Sequence, residues 1–157
     1  MVVIRPFTMP RSSFSALAIG ARQFVVHDAL ESIDSHWPGV VVTDVKMAGM
    51  TGIELMAAAL ERDPELPIIL IIANNSMYGT IRMHQERRYK DRVVATDIKN
   101  PNFAAICEAY GVKCFIVTKT EDFADAFDQA LKADSMALIE LRVDPEIVAP
   151  GRRLSEL

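Results

Sequence analysis

The chain has 157 residues, half of them apolar, and a formal net charge of −4. That is enough for one domain with a real core, and too apolar for a disordered chain. The charge balance lacks a basic block, which argues against a nucleic-acid partner, and no run approaches the ~18 apolar residues that a membrane span needs.

Val2 to Ile4 reads as a short strand, and it is too short for the apolar core of a signal peptide. Ser12 to Ala21 reads as a helix capped by Ser12 or Ser13. Gln23 to Val26 suits a strand and Leu30 to Ser35 a short helix. Val40 to Thr43 follows a Pro-Gly turn as four β-formers. Gly52 to Arg62 carries apolar residues at 53, 55, 56, 59 and 60, a helical stripe that Asp63-Pro64 stops. Ile68 to Ala73 is the next strand.

Ser76 to Lys99 is polar and irregular, with a short helix expected around Tyr78 to Gln85 and a solvated charged loop over Glu86 to Lys90. Asn102 to Tyr110 reads as a helix closed by Gly111. Cys114 to Val117 is a strand, Thr120 to Lys132 a helix with Thr120 as its cap, and Met136 to Val143 a last strand. Cys107 falls in a helical pattern and Cys114 in an apolar run, so both read as buried free thiols, which suits a reducing cytoplasm. Repeated strand-helix-strand order implies an α/β fold: a flavodoxin-like three-layer α/β/α sandwich on a mainly parallel sheet. Residues 1–149 are expected to form that single domain, with 150–157 as a tail.

The stretch "PIILIIANNSMYGTIRMHQE" turns from a buried strand into adjacent amides, Asn74 and Asn75. Ligands in parallel α/β folds sit beyond the carboxyl ends of strands. A polar tip on an apolar strand is therefore a candidate site.

Residues from about 2 to 72 resemble a response-regulator receiver domain, most strongly in "VVVTDVKMAGMTGIELMAAALERDPELPIILI". Asp44, Met47, Met50 and Gly52 match the receiver loop, with Ala48 in place of its proline. The resemblance implies a phosphorelay role with Asp44 as phospho-acceptor. Two companions of that chemistry are missing. Arg5-Pro6 stand where an acidic metal-binding pair belongs, and Ile72 stands where a hydroxyl residue belongs. Lys119 matches the receiver lysine.

Residues from about 66 to 149 resemble the carboxyl-terminal part of thiamine-diphosphate enzymes of the acetolactate-synthase type. The matching stretches are "LPIILIIANNSMYGTIRMHQERRY", "ATDIKNPNFAAICEAYG", "TEDFADAFDQAL" and "ALIELRVDPEIVAP". The chain thus reads as a mosaic, receiver-like over 1–70 and thiamine-diphosphate-like over 71–149. The second resemblance implies thiamine diphosphate and Mg²⁺ as cofactors, contacted by Asn74, Asn75, Ser76, Met77 and Tyr78. It makes the Asn75 side chain and the Met77 carbonyl metal ligands, hard oxygens suited to an octahedral ion that keeps diphosphate. The family's Gly-Asp-Gly turn is absent from this sequence. So is the partner domain that contacts the aminopyrimidine ring and supplies an activating glutamate.

If the strands ending at Asp44 and Asn75 were neighbours, about 4.8 Å apart, Asp44 would stand near the place of the lost aspartate. A hybrid metal site of Asp44, Asn75 and Met77 follows as an expectation. Water-bathed polar strand ends are the plainer alternative. His27, His36 and His84 have no ligand spacing and read as surface or core residues. Three functions result: a remnant domain with residual Mg²⁺-dependent cofactor binding and no turnover of its own, an enzyme fragment active only with a partner domain, and a phospho-acceptor module. In the thiamine-diphosphate family the face around "NNSMYGTIRMHQ" is covered by another domain or subunit. Met77, Tyr78, Ile81 and Met83 therefore predict a homodimer through residues 76–90.

Overall fold

The computed structural model describes residues 2–4, 30, 41–43, 45–46, 49–90, 92–133, 136–149 and 152–156. The expected helix over 12–21 and strand over 23–26 lie outside these residues, as do Asp44, Met47, Ala48, His27 and His36. The element order is β1 (Val2–Ile4), β2 (Val41–Thr43), α1 (Gly52–Arg62), β3 (Ile68–Asn74), α2 (Gly79–Arg88), α3 (Phe103–Ala109), β4 (Lys113–Val117), α4 (Phe123–Leu131), β5 (Ala137–Arg142), β6 (Ile147–Ala149) and β7 (Arg152–Arg153).

Five strands form one sheet in the order β2-β1-β3-β5-β4. β3, β5 and β4 are parallel, as the strand-helix-strand order predicts. β1 runs antiparallel to both of its neighbours, β2 and β3. A three-residue strand carries no directional signal of its own, so its insertion here was not legible. The consequence is a correction: β2 and β3 are not adjacent, because β1 lies between them.

Period-2 alternation sends β3 into two cores. Ile69 and Ile71 join Ala137, Ile139 and Val117 on one face, covered by Ala126 and Ala130 of α4, with Phe123, Phe127 and Leu131 packed alongside. Ile68 and Leu70 face the other way, onto Leu55 and Ala59 of α1. Cys114 shares that second face with Leu70 and Leu138, and α3 packs on β4 there, bringing Cys107 against Cys114. Helices on both faces make the three-layer α/β/α arrangement. Both thiols are free, Cys107 buried and Cys114 half-buried.

Local chemistry explains the helix ends. Thr51 caps α1 in a capping box: its hydroxyl accepts from Glu54 N while the Glu54 carboxylate accepts from Thr51 N. Asn102 accepts from Ala105 N at the start of α3, and Gly111, at φ +67°, takes the left-handed conformation just past its end. Two boundaries differ from expectation. Thr120 opens a 3₁₀ turn, Thr120–Asp122, and gives no side-chain cap to α4. Glu86 to Arg88 belong to α2 and not to a loop, with Glu86 paired to Arg82 one turn earlier at 2.8 Å. An exposed helix can be polar all round, and α2 buries no residue. The expected tail is also structured: β7 pairs antiparallel with β6, and Arg153 bonds Asp144 at 3.0 Å.

Candidate functional site

The carboxyl ends of β3 and β5 meet at Asn74 and Arg142, which are register partners. A cavity of about 470 Å³ opens there, lined among others by Asn74, Asn75, Ser76, Lys99, Asn100 and Glu140. Directly after β3 the chain reverses through Ser76, a non-glycine residue held at φ +56°. Such a residue is uncommon and needs support from its surroundings.

The support is a set of side-chain and main-chain bonds. Asn74 Oδ1 accepts from Ser76 N at 3.0 Å, from Ser76 Oγ at 3.3 Å and from Asn100 Nδ2 at 2.7 Å. Asn74 Nδ2 donates to Glu140 Oε1 at 2.6 Å. The segment after the turn is stitched to residues 96–98: Tyr78 N donates to Thr96 O at 2.8 Å and Ile98 N to Ser76 O at 2.9 Å. Thr96 is buried, and Met77 forms a bridge with Asp97. Val143 N closes the strand end onto Asn74 O at 2.9 Å.

The expected site residues from 74 to 78 all lie within the described residues. Asn75 is half-buried, and its Oδ1 accepts from Met77 N at 3.2 Å. The Met77 carbonyl takes no part in the bonds that hold the turn. Ser76 is exposed and lines the cavity, and Tyr78 is exposed immediately before α2. Asn74 lines the cavity, and its amide bonds protein partners on both ends, which shapes the turn. Asp44 lies outside the described residues, and the intervening β1 removes the adjacency on which a joint site with Asn75 was expected. His84 is exposed on α2.

Glu140, Asn100 and Thr96 were not anticipated from sequence. Glu140 had a legible signal, a charge in the middle of the apolar run "ALIELR". Such a residue is almost never buried without partners. It is 4% exposed, with Asn74 on one side and the more exposed Arg142 3.7 Å away.

Asn75 Oδ1 and the Met77 carbonyl are neutral, hard oxygen donors, the ligand type Mg²⁺ takes when phosphate oxygens complete its shell. A Cβ at position 79 would stand 2.9 Å from Asn75 Nδ2, so only glycine leaves the asparagine amide its place. These features fit a Mg²⁺-diphosphate group. The anionic protein ligand is not supplied by the turn, and no cluster of three His, Cys, Asp or Glu side chains suited to a metal exists among the described residues.

Comparison with known proteins bears on the same stretch. The family described as "Thiamine pyrophosphate enzyme, C-terminal TPP binding domain" matches residues 40–141. Mitochondrial acetolactate synthase of Schizosaccharomyces pombe is 30% identical over 140 residues, covering 87% of this chain and 20% of that protein. A putative thiamine pyrophosphate-containing protein, YdaP, of Bacillus subtilis is 34% identical over 88 residues, 56% of this chain and 15% of its own length. Sulfoacetaldehyde acetyltransferase of Castellaniella defragrans is 26% identical over 153 residues, 94% of this chain and 25% of its own. The structure of a thiamine diphosphate-dependent 4-hydroxybenzoylformate decarboxylase from Rhodococcus jostii shares 33% identity over 59% of this chain and 17% of its own, with a TM-score of 0.46. The chain therefore spans roughly a fifth of the length of these relatives. The family match begins at residue 40 and runs through the stretch that resembles a receiver. The receiver half finds no support in these comparisons.

Proposed function

The chain belongs to the thiamine pyrophosphate enzyme C-terminal TPP binding domain family, and from that premise we propose that it is a cofactor-holding half-site that needs a partner domain for turnover. The observation that carries the reading is the Asn75–Met77 turn, with Gly79 leaving room for the Asn75 amide. In this reading the Asn75 side chain and the Met77 carbonyl would hold Mg²⁺ together with the cofactor's diphosphate. When bound, thiamine diphosphate supplies an electron sink at its thiazolium ring. The protein's own part would be to hold those two oxygen ligands in place for the metal.

Two groups of the full reaction have to come from elsewhere. The sequence holds no Gly-Asp-Gly turn, and the glutamate that activates the aminopyrimidine belongs to a separate domain in the resembling family. An isolated chain thus binds the cofactor weakly and turns nothing over. The named relatives differ in chemistry, an acetolactate synthase beside an acetyltransferase, so the substrate is set outside this module. We include in the proposal a homodimer through residues 76–90, where Tyr78 and Ile81 are each more than half exposed.

Calorimetric titration of the full chain with thiamine diphosphate tests the reading. Saturable binding is expected with Mg²⁺ and not with a chelator, and Asn75→Ala should abolish it. Absence of heat in the parent chain at millimolar cofactor would refute the half-site.

A further inference from the structure

Glu140 is one of two polar or charged residues buried among the described residues, the other being Thr96. Burying a carboxylate is unfavourable unless it is hydrogen-bonded, so its location asks for an explanation. It stands on β5 in register with Ile72, two residues short of the Asn74–Arg142 pair. That puts it on the same side of the sheet as the Asn74 side chain, whose Nδ2 it holds at 2.6 Å.

From this geometry we infer that Glu140 is the positioning residue of the Asn75–Met77 turn, acting through Asn74 and Asn100. An ionised carboxylate only accepts hydrogen bonds. Facing it, the Asn74 amide has to present its NH₂ end, and the opposite end is therefore oxygen. That oxygen collects three donors at 2.7–3.3 Å: Ser76 N, Ser76 Oγ and Asn100 Nδ2. Two of them belong to Ser76, the residue at φ +56° that reverses the chain between Asn75 and its neighbour in the turn, Met77. Asn100 ties the same oxygen to the 96–102 segment, whose Thr96 and Ile98 hold the far side of the turn. A single buried charge thus selects one of two amide orientations and, through it, one backbone conformation at the proposed metal ligands. Residues behind metal ligands that orient them commonly change metal affinity by 10–100-fold.

The inference rests on the half-site reading, and the test separates the two. Asn74→Asp opposes two carboxylates and removes the donor to Glu140. Adding Glu140→Gln restores complementarity with the roles exchanged: the new glutamine amide donates, and the new aspartate accepts from Glu140's replacement, Ser76 and Asn100. Two readouts are taken on the full chain. One is the amide NMR signals of residues 75–79 without cofactor, and the other is titration with Mg²⁺ and thiamine diphosphate.

Asn74→Asp alone should move the signals and weaken binding by about tenfold or more. The double variant should return both toward the parent. Leu55→Ala, in the core on α1 away from the turn, should lower thermal stability and leave both readouts in place. A merely structural role for Glu140 predicts instead that Leu55→Ala weakens binding as much as Asn74→Asp does. That result would overturn the inference, as would unmoved signals in Asn74→Asp or a folded double variant that fails to recover. If the parent chain shows no binding, the half-site reading fails, and the NMR signals alone decide the role of Glu140.

Discussion

Gly79 and Asn75 share one volume: a Cβ on Gly79 would stand 2.9 Å from Asn75 Nδ2. The nearest atom is the far end of a side chain and not backbone, so Gly79→Ala can be absorbed by turning the Asn75 amide. Position 79 is also the first residue of α2, and alanine there favours the helix by up to about 1 kcal/mol over glycine. Stability is therefore expected to hold or rise slightly. Cofactor binding should fall by about tenfold, because the amide oxygen leaves its place. Thermal melting and calorimetric titration of the same variant check both halves. A variant that binds as tightly as the parent would show that Asn75 is not a ligand.

The two cores predict separable costs. Leu55 is 1% exposed and lies against Ile68 and Leu66. Ile139 is fully buried on the other face, among Ala126 and Ala130. Truncating either to alanine should cost about 2–5 kcal/mol by lost burial and the cavity left behind. Urea unfolding measures it. A neutral Leu55→Ala would mean that α1 does not pack on the sheet.

How much of this was readable beforehand depends on the range of the interaction. β3, β4 and β5 were visible as apolar runs, and α1, α3 and α4 as helical stripes, because each signal is local. Asn102 and Gly111 marked the ends of α3 by residue type alone. What sequence did not carry was long-range. The place of β1 between β2 and β3 follows from pairing Val2 with both Thr43 and Leu70. The bond between Asn74 and Glu140 spans 66 residues. The strand adjacency behind the expected Asp44–Asn75 site belongs to this same level, and β1 stands between the two strands. The asparagine pair itself was found because a polar tip on an apolar strand is a local pattern.

The α1 cap sets a pH response. Backbone and then side-chain hydrogen bonding from Thr51 hold the Glu54 carboxyl below its ordinary value of 4.5. A carboxyl with a depressed folded value stabilises the fold above its unfolded value and loses that contribution as pH falls through the folded one. Glu54→Gln should therefore be less stable than the parent at neutral pH, with the gap closing in acid. Carbon-detected NMR titration should find Glu54 back near its ordinary value in Thr51→Ala. That variant should also lose about 1 kcal/mol of stability, the usual cost of a missing hydroxyl cap. A Glu54 titration identical in the two proteins would rule out the capping box.

Cys114 gives the opposite sign. Burial first, and then the neighbouring Cys107, push its thiol up to about 11. The thiolate is the reactive form, so Cys114 should resist a disulfide reagent at pH 8 in the native chain. Cys107, which is buried, should resist by lack of access. Both should react at once in denaturant. Because the folded chain holds the Cys114 proton more tightly than the unfolded one does, stability should be complete below the ordinary value of 9 and decline as pH rises toward 11. Prompt native labelling of Cys114 at pH 8 would contradict the packing of α3 on β4.

The proposed self-association rests on the surface that α2 presents. The helix buries none of its residues. Tyr78 is 54% and Ile81 51% exposed, with Tyr89 at 55% close behind them. Met77 and Met83, expected in the same patch, are half-buried and lend it less area. Exposed apolar groups on and beside one helix suit an interaction surface, and a two-fold operator would bury the same patch twice. Light scattering at micromolar concentration should give a dimer mass. Tyr78→Asp with Ile81→Asp should return a folded monomer, because neither side chain supports the core. A monomer in the parent, or a dimer indifferent to both changes, would move the interface away from residues 76–90.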